Sequence, residues 1–141
     1  MGIVYTAECS KCNRIYNFDV GISPLYNKNI LLDYNSEFNL LSLFKEKNRK
    51  EQLANILKNK SYSLLDGYGY KITICDTCKN LYPRFTFTLV DDNGNVFETK
   101  FKCHSCRKKL RELKTEEILN NIFECPNCKS KIKFHISGEW N

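Results

Sequence analysis

The chain has 141 residues, 42% of them hydrophobic, and a formal net charge of +6, which suits one domain or two small ones whose cores metal would have to supplement. No basic segment followed by an apolar run opens the sequence and no apolar stretch approaches about 18 residues, so neither a signal peptide nor a membrane-spanning helix is expected and a cytosolic setting is. In a reducing compartment eight cysteines favour metal over a disulfide framework.

All eight fall into Cys-x-x-Cys pairs: Cys9 and Cys12, Cys75 and Cys78, Cys103 and Cys106, Cys125 and Cys128. Two cysteines at this spacing can aim both sulfurs at one ion across a tight turn, and two such pairs fill a tetrahedral shell. The elements around them follow in chain order. Ile3 to Ala7 reads as a strand entering the first pair, and Ile15 to Val20 leaves it with Tyr16, Phe18 and Val20 alternating. Residues 21–69 differ in character. Leu40, Leu41 and Phe44 suggest a short helix after Ser36 as N-cap, and Leu53, Ile56 and Leu57 give Asn48 to Asn59 a helical period. Asp66-Gly67-Tyr68-Gly69 ends this insertion with turn residues, and Tyr70, Ile72 and Ile74 form a strand into the second pair.

Phe85, Phe87 and Leu89 then alternate with threonines, and Phe97, Thr99 and Phe101 alternate after Asp92-Asn93-Gly94. This predicts a hairpin in which Asp91 faces Asn95, Gly94 takes the left-handed conformation, and Phe85, Phe87 and Leu89 lie opposite Phe101, Thr99 and Phe97. Arg107 to Lys114 and Thr115 to Phe123 read as helical, the second capped by Thr115 with Glu116 and Glu117 in its first turn. One weak repeat is visible: Glu8-Cys-x-x-Cys with Phe18 and Val20 after it matches Glu124-Cys-x-x-Cys with Phe134 and Ile136 at the same offsets.

Three pairings of the motifs into sites are open. Nested pairing joins the second with the third and the first with the last; sequential pairing joins neighbours; the interleaved one is a cross-brace. The hairpin favours the nested arrangement, although spacing alone does not fix connectivity. Four thiolates suit zinc, so two Zn2+ are expected, in closed shells that are structural rather than catalytic. Iron accepts the same ligands. Rubredoxin-type knuckles usually carry Gly after the second cysteine, where this chain has Asn13, Lys79, Arg107 and Lys129.

Neither His104 nor His135 has a nucleophile or carboxylate partner by spacing, and no G-x-S-x-G, P-loop or H-E-x-x-H sequence occurs, so an enzyme is not expected. Both histidines are expected to face solvent, His104 because the thiols already complete both shells. Phe85, Phe87, Phe97 and Phe101 are expected in the core, and Tyr68, Tyr70 and Trp140 are open to other roles. Residues 98–141 hold 10 Lys+Arg against 6 Asp+Glu, and residues 1–97 hold 12 against 10. Lys100, Lys102, Arg107, Lys108, Lys109, Arg111 and Lys114, with Lys129, Lys131 and Lys133 after the last pair, are candidate phosphate contacts. They equally well offset the charge of about −2 that each four-thiolate zinc site carries.

The segments Cys75-Asp-Thr-Cys78, the Phe85 to Phe101 hairpin, Cys103-His-Ser-Cys106 and Cys125-Pro-Asn-Cys128 resemble zinc-ribbon proteins, including short uncharacterised bacterial ones, over residues 70–136 and the N-terminal knuckle. That resemblance implies structural zinc and binding to nucleic acid or protein. The expected architecture is a small zinc-stabilised α+β protein with ribbon-like hairpins: an N-terminal knuckle (1–20), a helical insertion (21–69) and a three-knuckle region (70–141). The expected role is a non-enzymatic, nucleic-acid-associated module. The alternatives are a protein adaptor using Leu40, Leu41, Phe44, Leu53, Ile56 and Leu57 to cover a partner, and a rubredoxin-like electron carrier.

Overall fold

The computed structural model of the chain describes residues 2–141. It mixes short helices with antiparallel sheets. In order the elements are β1 (Gly2–Glu8), β2 (Ile15–Gly21), α1 (Lys28–Leu32), α2 (Leu40–Leu43), α3 (Lys50–Asn59), β3 (Tyr62–Leu64), β4 (Gly69–Ile74), β5 (Leu81–Thr86), β6 (Thr88–Asp91), β7 (Val96–Glu98), β8 (Arg111–Glu112), α4 (Thr115–Asn120), β9 (Phe123–Glu124), β10 (Lys131–Ile132) and β11 (His135–Trp140). Among the described residues no helix is long and apolar enough to cross a membrane. The chain divides into two units: Met1–Gly21, Tyr70–Arg84 and Lys100–Asn141 form the first, and Ile22–Gly69 with Phe85–Thr99 form the second. The expected insertion therefore also takes the tip of the expected hairpin into its unit.

The first unit is built on a sheet of order β11-β1-β2-β4-β5, with β8 added to β4. The hairpin β1–β2 pairs Tyr5 with Phe18, and β11 lies on the other side of β1, pairing Tyr5 with Ile136 and Thr6 with His135. Inward positions Tyr5, Ala7, Phe18, Ile72 and Ile74 meet Leu113, Ile118, Phe123, Ile132 and Phe134 in one buried cluster. Phe134 packs edge-on against both Phe18 and Phe123, with ring centroids 5.6 Å away in each case. At the start of β1 a Cβ on Gly2 would run into the Trp140 indole, so glycine here leaves room for that ring to lie over the strand. Trp140 in turn packs edge-on against Tyr70.

The second unit has an aromatic core. Phe44 packs on Phe87 and Phe97, Phe87 stacks on Phe97, and Leu31, Leu40, Leu53, Leu57 and Leu89 are buried. The Arg49 guanidinium lies 4.6 Å from the Phe97 ring centroid while bonding Glu46 through two nitrogens at 2.7 and 2.8 Å and the Glu98 carbonyl at 2.8 Å. The insertion's apolar residues thus face inward: Leu40, Phe44, Leu53, Ile56 and Leu57 are buried and Leu41 is half-buried. They make this unit's own core.

Several expected elements shift. The expected helix Asn48 to Asn59 is present as α3, preceded by a 3-10 turn at Lys47–Arg49. The N-cap of α2 is Asn39, whose side-chain oxygen accepts from the Ser42 N–H; Ser36 bonds the Phe38 N–H instead. Helix α1 was not expected, because it is only five residues long, with Ile30, Leu31 and Leu32 as its apolar stretch; Asn27 caps it. The hairpin register holds at Leu89 opposite Phe97, and Asp91 N–H bonds Asn95 O across a turn in which Gly94 has φ +84°. It does not extend to Phe101. The Phe101 carbonyl accepts from Leu110 N–H, and β5 joins the first unit's sheet.

Arg107 to Lys114 is not a helix. Lys102 pairs opposite Lys109, Arg111–Glu112 pairs with β4 at Ile74 and Thr73, and Leu113 N–H bonds Ile72 O. Lys, Arg and Glu have good helix propensity, but returning the chain beside the third cysteine pair requires extended backbone, and tertiary contacts override propensity. Helix α4 follows from Thr115, with Lys114 rather than Thr115 as its N-cap; the Glu117 carboxylate accepts from the Lys114 N–H. Phe123 lies outside this helix, in β9.

Candidate metal centres

The four Cys-x-x-Cys turns share one backbone design. In each, the first cysteine's carbonyl accepts from the residue after the second cysteine, and its N–H donates one residue further on. The bonds are Asn13 N–H to Cys9 O and Cys9 N–H to Arg14 O, repeated at Lys79 and Asn80, at Arg107 and Lys108, and at Lys129 and Ser130. The residue after each second cysteine is left-handed: Asn13 at φ 61°, Lys79 at 63°, Arg107 at 65° and Lys129 at 65°. Glycine would adopt this conformation freely, whereas side-chain residues carry a cost of about 1–2 kcal/mol each. Lacking glycine, the turns still reach the same geometry, so the missing glycine does not discriminate between iron and zinc.

The turns gather the cysteines into two groups, Cys9, Cys12, Cys125 and Cys128, and Cys75, Cys78, Cys103 and Cys106, with all ligand atoms of a group within 4.8 Å of one another. This is the nested pairing. In the first group β1 and β11 lie side by side, which brings the first and last Cys-x-x-Cys turns together. In the second, β4 delivers Cys75 and the segment from Phe101 to Leu110 folds around Cys103. Sγ separations of 3.4 Å for Cys9 and Cys128, 3.7 Å for Cys12 and Cys125, and 3.4 Å for Cys75 and Cys106 are far above the ~2.05 Å of a disulfide. A tetrahedral ion with bonds of about 2.3 Å would place its sulfurs about 3.8 Å apart, so both groups fit such an ion. In each turn the first cysteine is buried and the second half-buried.

The two sites share a partner that the sequence reading missed. Tyr16 Oη lies 3.2 Å from Cys125 Sγ, and Tyr82 Oη lies 3.4 Å from Cys103 Sγ. Its signal was present: Cys-x-x-Cys-x-x-Ile-Tyr at Cys9 to Tyr16 parallels Cys-x-x-Cys-x-x-Leu-Tyr at Cys75 to Tyr82. The Tyr82 hydroxyl, followed by knuckle N–H groups, holds Cys103 down at about 5. At Cys125 burial acts to raise the thiol, but the Tyr16 hydroxyl and knuckle N–H groups prevail and hold it at about 6. The Cys125 sulfur, with burial, pushes Tyr16 up to about 12. Hydrogen bonding to Cys106, then burial, pushes Cys78 to about 12. One group of thiols thus holds its protons unequally, and an ion bound by all four would displace those protons.

The sites differ in support. Beside the first lies the large cluster of the unit; the smaller cluster at the second, among the described residues, has Leu110 buried with Cys75 and Cys103, and Tyr82 and Phe101 packed at its margin. His104 is exposed and does not join the shell; its ring packs on Tyr82, and Arg84 lies over both Tyr82 and Phe101. His135 is exposed on β11.

The basic candidates all lie in the first unit, and all are exposed: Lys100, Lys102, Arg107, Lys108, Lys109, Arg111, Lys114, Lys129, Lys131 and Lys133. They are not equivalent. Arg111 bridges Asp76 at 3.1 Å and Glu117 at 2.8 Å, and its hydrogen bonds hold both carboxyls below their ordinary range. Lys108 bonds Thr77 Oγ1 and Lys129 bonds Asn80 Oδ1. Lys102 and Lys109 face each other across an antiparallel bridge, an unfavourable pairing of like charges that an anion would relieve. Comparison of the chain with protein-family models, with curated proteins and with solved structures found no match.

Proposed function

We propose that the chain is a non-catalytic module of zinc-ribbon type that holds two Zn2+ and binds nucleic acid through the basic surface of its first unit. What supports zinc is the role of the sites. Each ties together segments far apart in sequence, and a closed four-thiolate shell around a redox-inert ion performs that task without changing charge. The ions hold the fold, and the residues around them do the binding.

The observation that carries the nucleic-acid reading is the charge division. The first unit contains 15 Lys+Arg against 8 Asp+Glu, and the second 7 against 8. Two four-thiolate zinc sites contribute about −4 together, which takes the first unit's +7 to about +3 and still leaves the cations on its side. With Arg111 occupied by two carboxylates, the candidate phosphate contacts reduce to those led by Lys102, Lys109 and Arg107, with Lys131 and Lys133.

The test is salt dependence. Log affinity of the zinc-loaded chain for labelled oligothymidylate and for a labelled duplex should fall linearly with log salt, through release of condensed counterions. A variant with Lys102, Arg107, Lys109 and Lys131 all changed to Gln should bind more weakly across sequences and lower the slope by about three to four, with both ions retained. Absence of binding at low salt, or wild-type affinity in the variant, would show that the cations only offset thiolate charge. Elemental analysis of native protein that returned iron would replace the zinc assignment with an electron-carrying one.

A further inference from the structure

The two tyrosines occupy the same place in both candidate sites. Each lies four residues after the second cysteine of the leading turn, and each reaches across the site to the first cysteine of the trailing turn: Tyr16 to Cys125 at 3.2 Å, Tyr82 to Cys103 at 3.4 Å. The trailing turns carry Leu110 and Ile132 at the equivalent positions, where no hydroxyl is available. A metal-bound thiolate has no proton to give, so in the loaded sites the hydroxyl must donate. At Tyr82 the oxygen also accepts from the His104 N–H at 3.2 Å, which leaves its own hydrogen for the sulfur.

We propose that Tyr16 and Tyr82 are positioning residues for the metal shells, each quieting one sulfur, so that electrophilic attack and metal release start at sulfurs without a hydroxyl partner: Cys9 and Cys12 in the first site, where Ser130 Oγ also lies 3.2 Å from Cys128 Sγ, and Cys75, Cys78 and Cys106 in the second. This rests on the metal-site reading above. A hydrogen bond to a bound thiolate withdraws charge from it, which lowers its nucleophilicity. Burial alone does not give this order. Cys9, Cys75, Cys103 and Cys125 are all fully buried, yet only Cys103 and Cys125 have a tyrosine partner. The structure thus provides an internal control in each site: Cys75 against Cys103, and Cys9 against Cys125.

The experiment is timed alkylation of the zinc-loaded full chain with iodoacetamide, mapped by mass spectrometry. Each event forms a sulfur–carbon bond, expels iodide and breaks one metal–sulfur bond, with no oxidant involved. In wild type, Cys103 should react more slowly than Cys75, and Cys125 more slowly than Cys9. Tyr82→Phe should speed Cys103 about three- to tenfold and leave Cys125 unchanged, and Tyr16→Phe should do the reverse; only part of the hydrogen bond's effect is expressed in the rate. General loosening of the unit would instead speed all the cysteines of a site together. As a second readout, cobalt(II)-loaded Tyr82→Phe and Tyr16→Phe should show sulfur-to-metal charge-transfer bands at lower energy than wild type. Two ions retained with unchanged alkylation order and bands overturns the proposal alone; no metal bound by wild type overturns the site reading beneath it.

Discussion

The two units fill their interiors by different chemistry. In the second, Phe44, Phe87 and Phe97 with Leu31, Leu40, Leu53 and Leu57 enclose a core that excludes water without an ion. In the first, cysteines occupy positions that side-chain hydrophobes would otherwise take, and beside the second site little but Leu110 backs them. A core built from Phe and Leu depends on buried area, whereas one built around thiolates depends on the ion that neutralises them. The difference predicts that any dependence on metal is confined to the first unit.

Removing metal should break the comparison most widely. On chelation of the full chain, amide exchange should accelerate through the first unit, most of all at Cys75–Leu81 and Phe101–Leu110, while α3 and the β6–β7 hairpin keep their protection. Uniform loss across both units would show that they fold as one.

A core truncation should act in the opposite direction. Phe97 is 2% exposed and touches Phe44, Phe87 and Arg49, so Phe97→Ala should cost about 3–5 kcal/mol in denaturant unfolding of the second unit. Elemental analysis should still return two ions per chain.

Single ligand changes sharpen the contrast between the sites. Cys103→Ser and Cys78→Ser, alone or together, should each leave one ion, since both residues belong to the same group, whereas Cys9→Ser combined with Cys103→Ser should leave none. Retention of an ion by that last pair would refute the nested grouping.

Arg111→Gln tests whether that cation is a phosphate contact or a brace. Asp76 and Glu117 have carboxyls lowered by Arg111, so their contribution is present above the ordinary carboxylate range and is lost only as pH falls through it. At neutral pH the variant should speed amide exchange in α4 and β8 and leave nucleic-acid affinity closer to wild type than Arg107→Gln does. The smallest effect is expected from Lys79→Gly, which removes left-handed strain at φ 63° and should change chelation-sensitive stability by at most about 1 kcal/mol.

The ligand set was legible in the sequence because Cys-x-x-Cys is a local geometry: two thiols on one turn need no distant information. The hairpin tip, β1, β2, β4 and α3 were legible for the same reason, each carrying its own period or its own turn residue. Other features were decided by tertiary structure. Arg107 to Lys114 has the composition of a helix, yet it runs extended because the third turn must pair Lys109 with Lys102 and Arg111 with Ile74. Spacing left three pairings of the motifs open, and only the placement of β11 beside β1 brings Cys125 and Cys128 to Cys9 and Cys12. Tyr16 and Tyr82 were visible as residues but not as partners, because a hydroxyl that meets a sulfur more than twenty residues away in sequence depends on which turns face each other. Sequence by itself determined which atoms can hold metal, since that chemistry is local; only the fold decided which four share an ion, since that is a matter of long-range pairing.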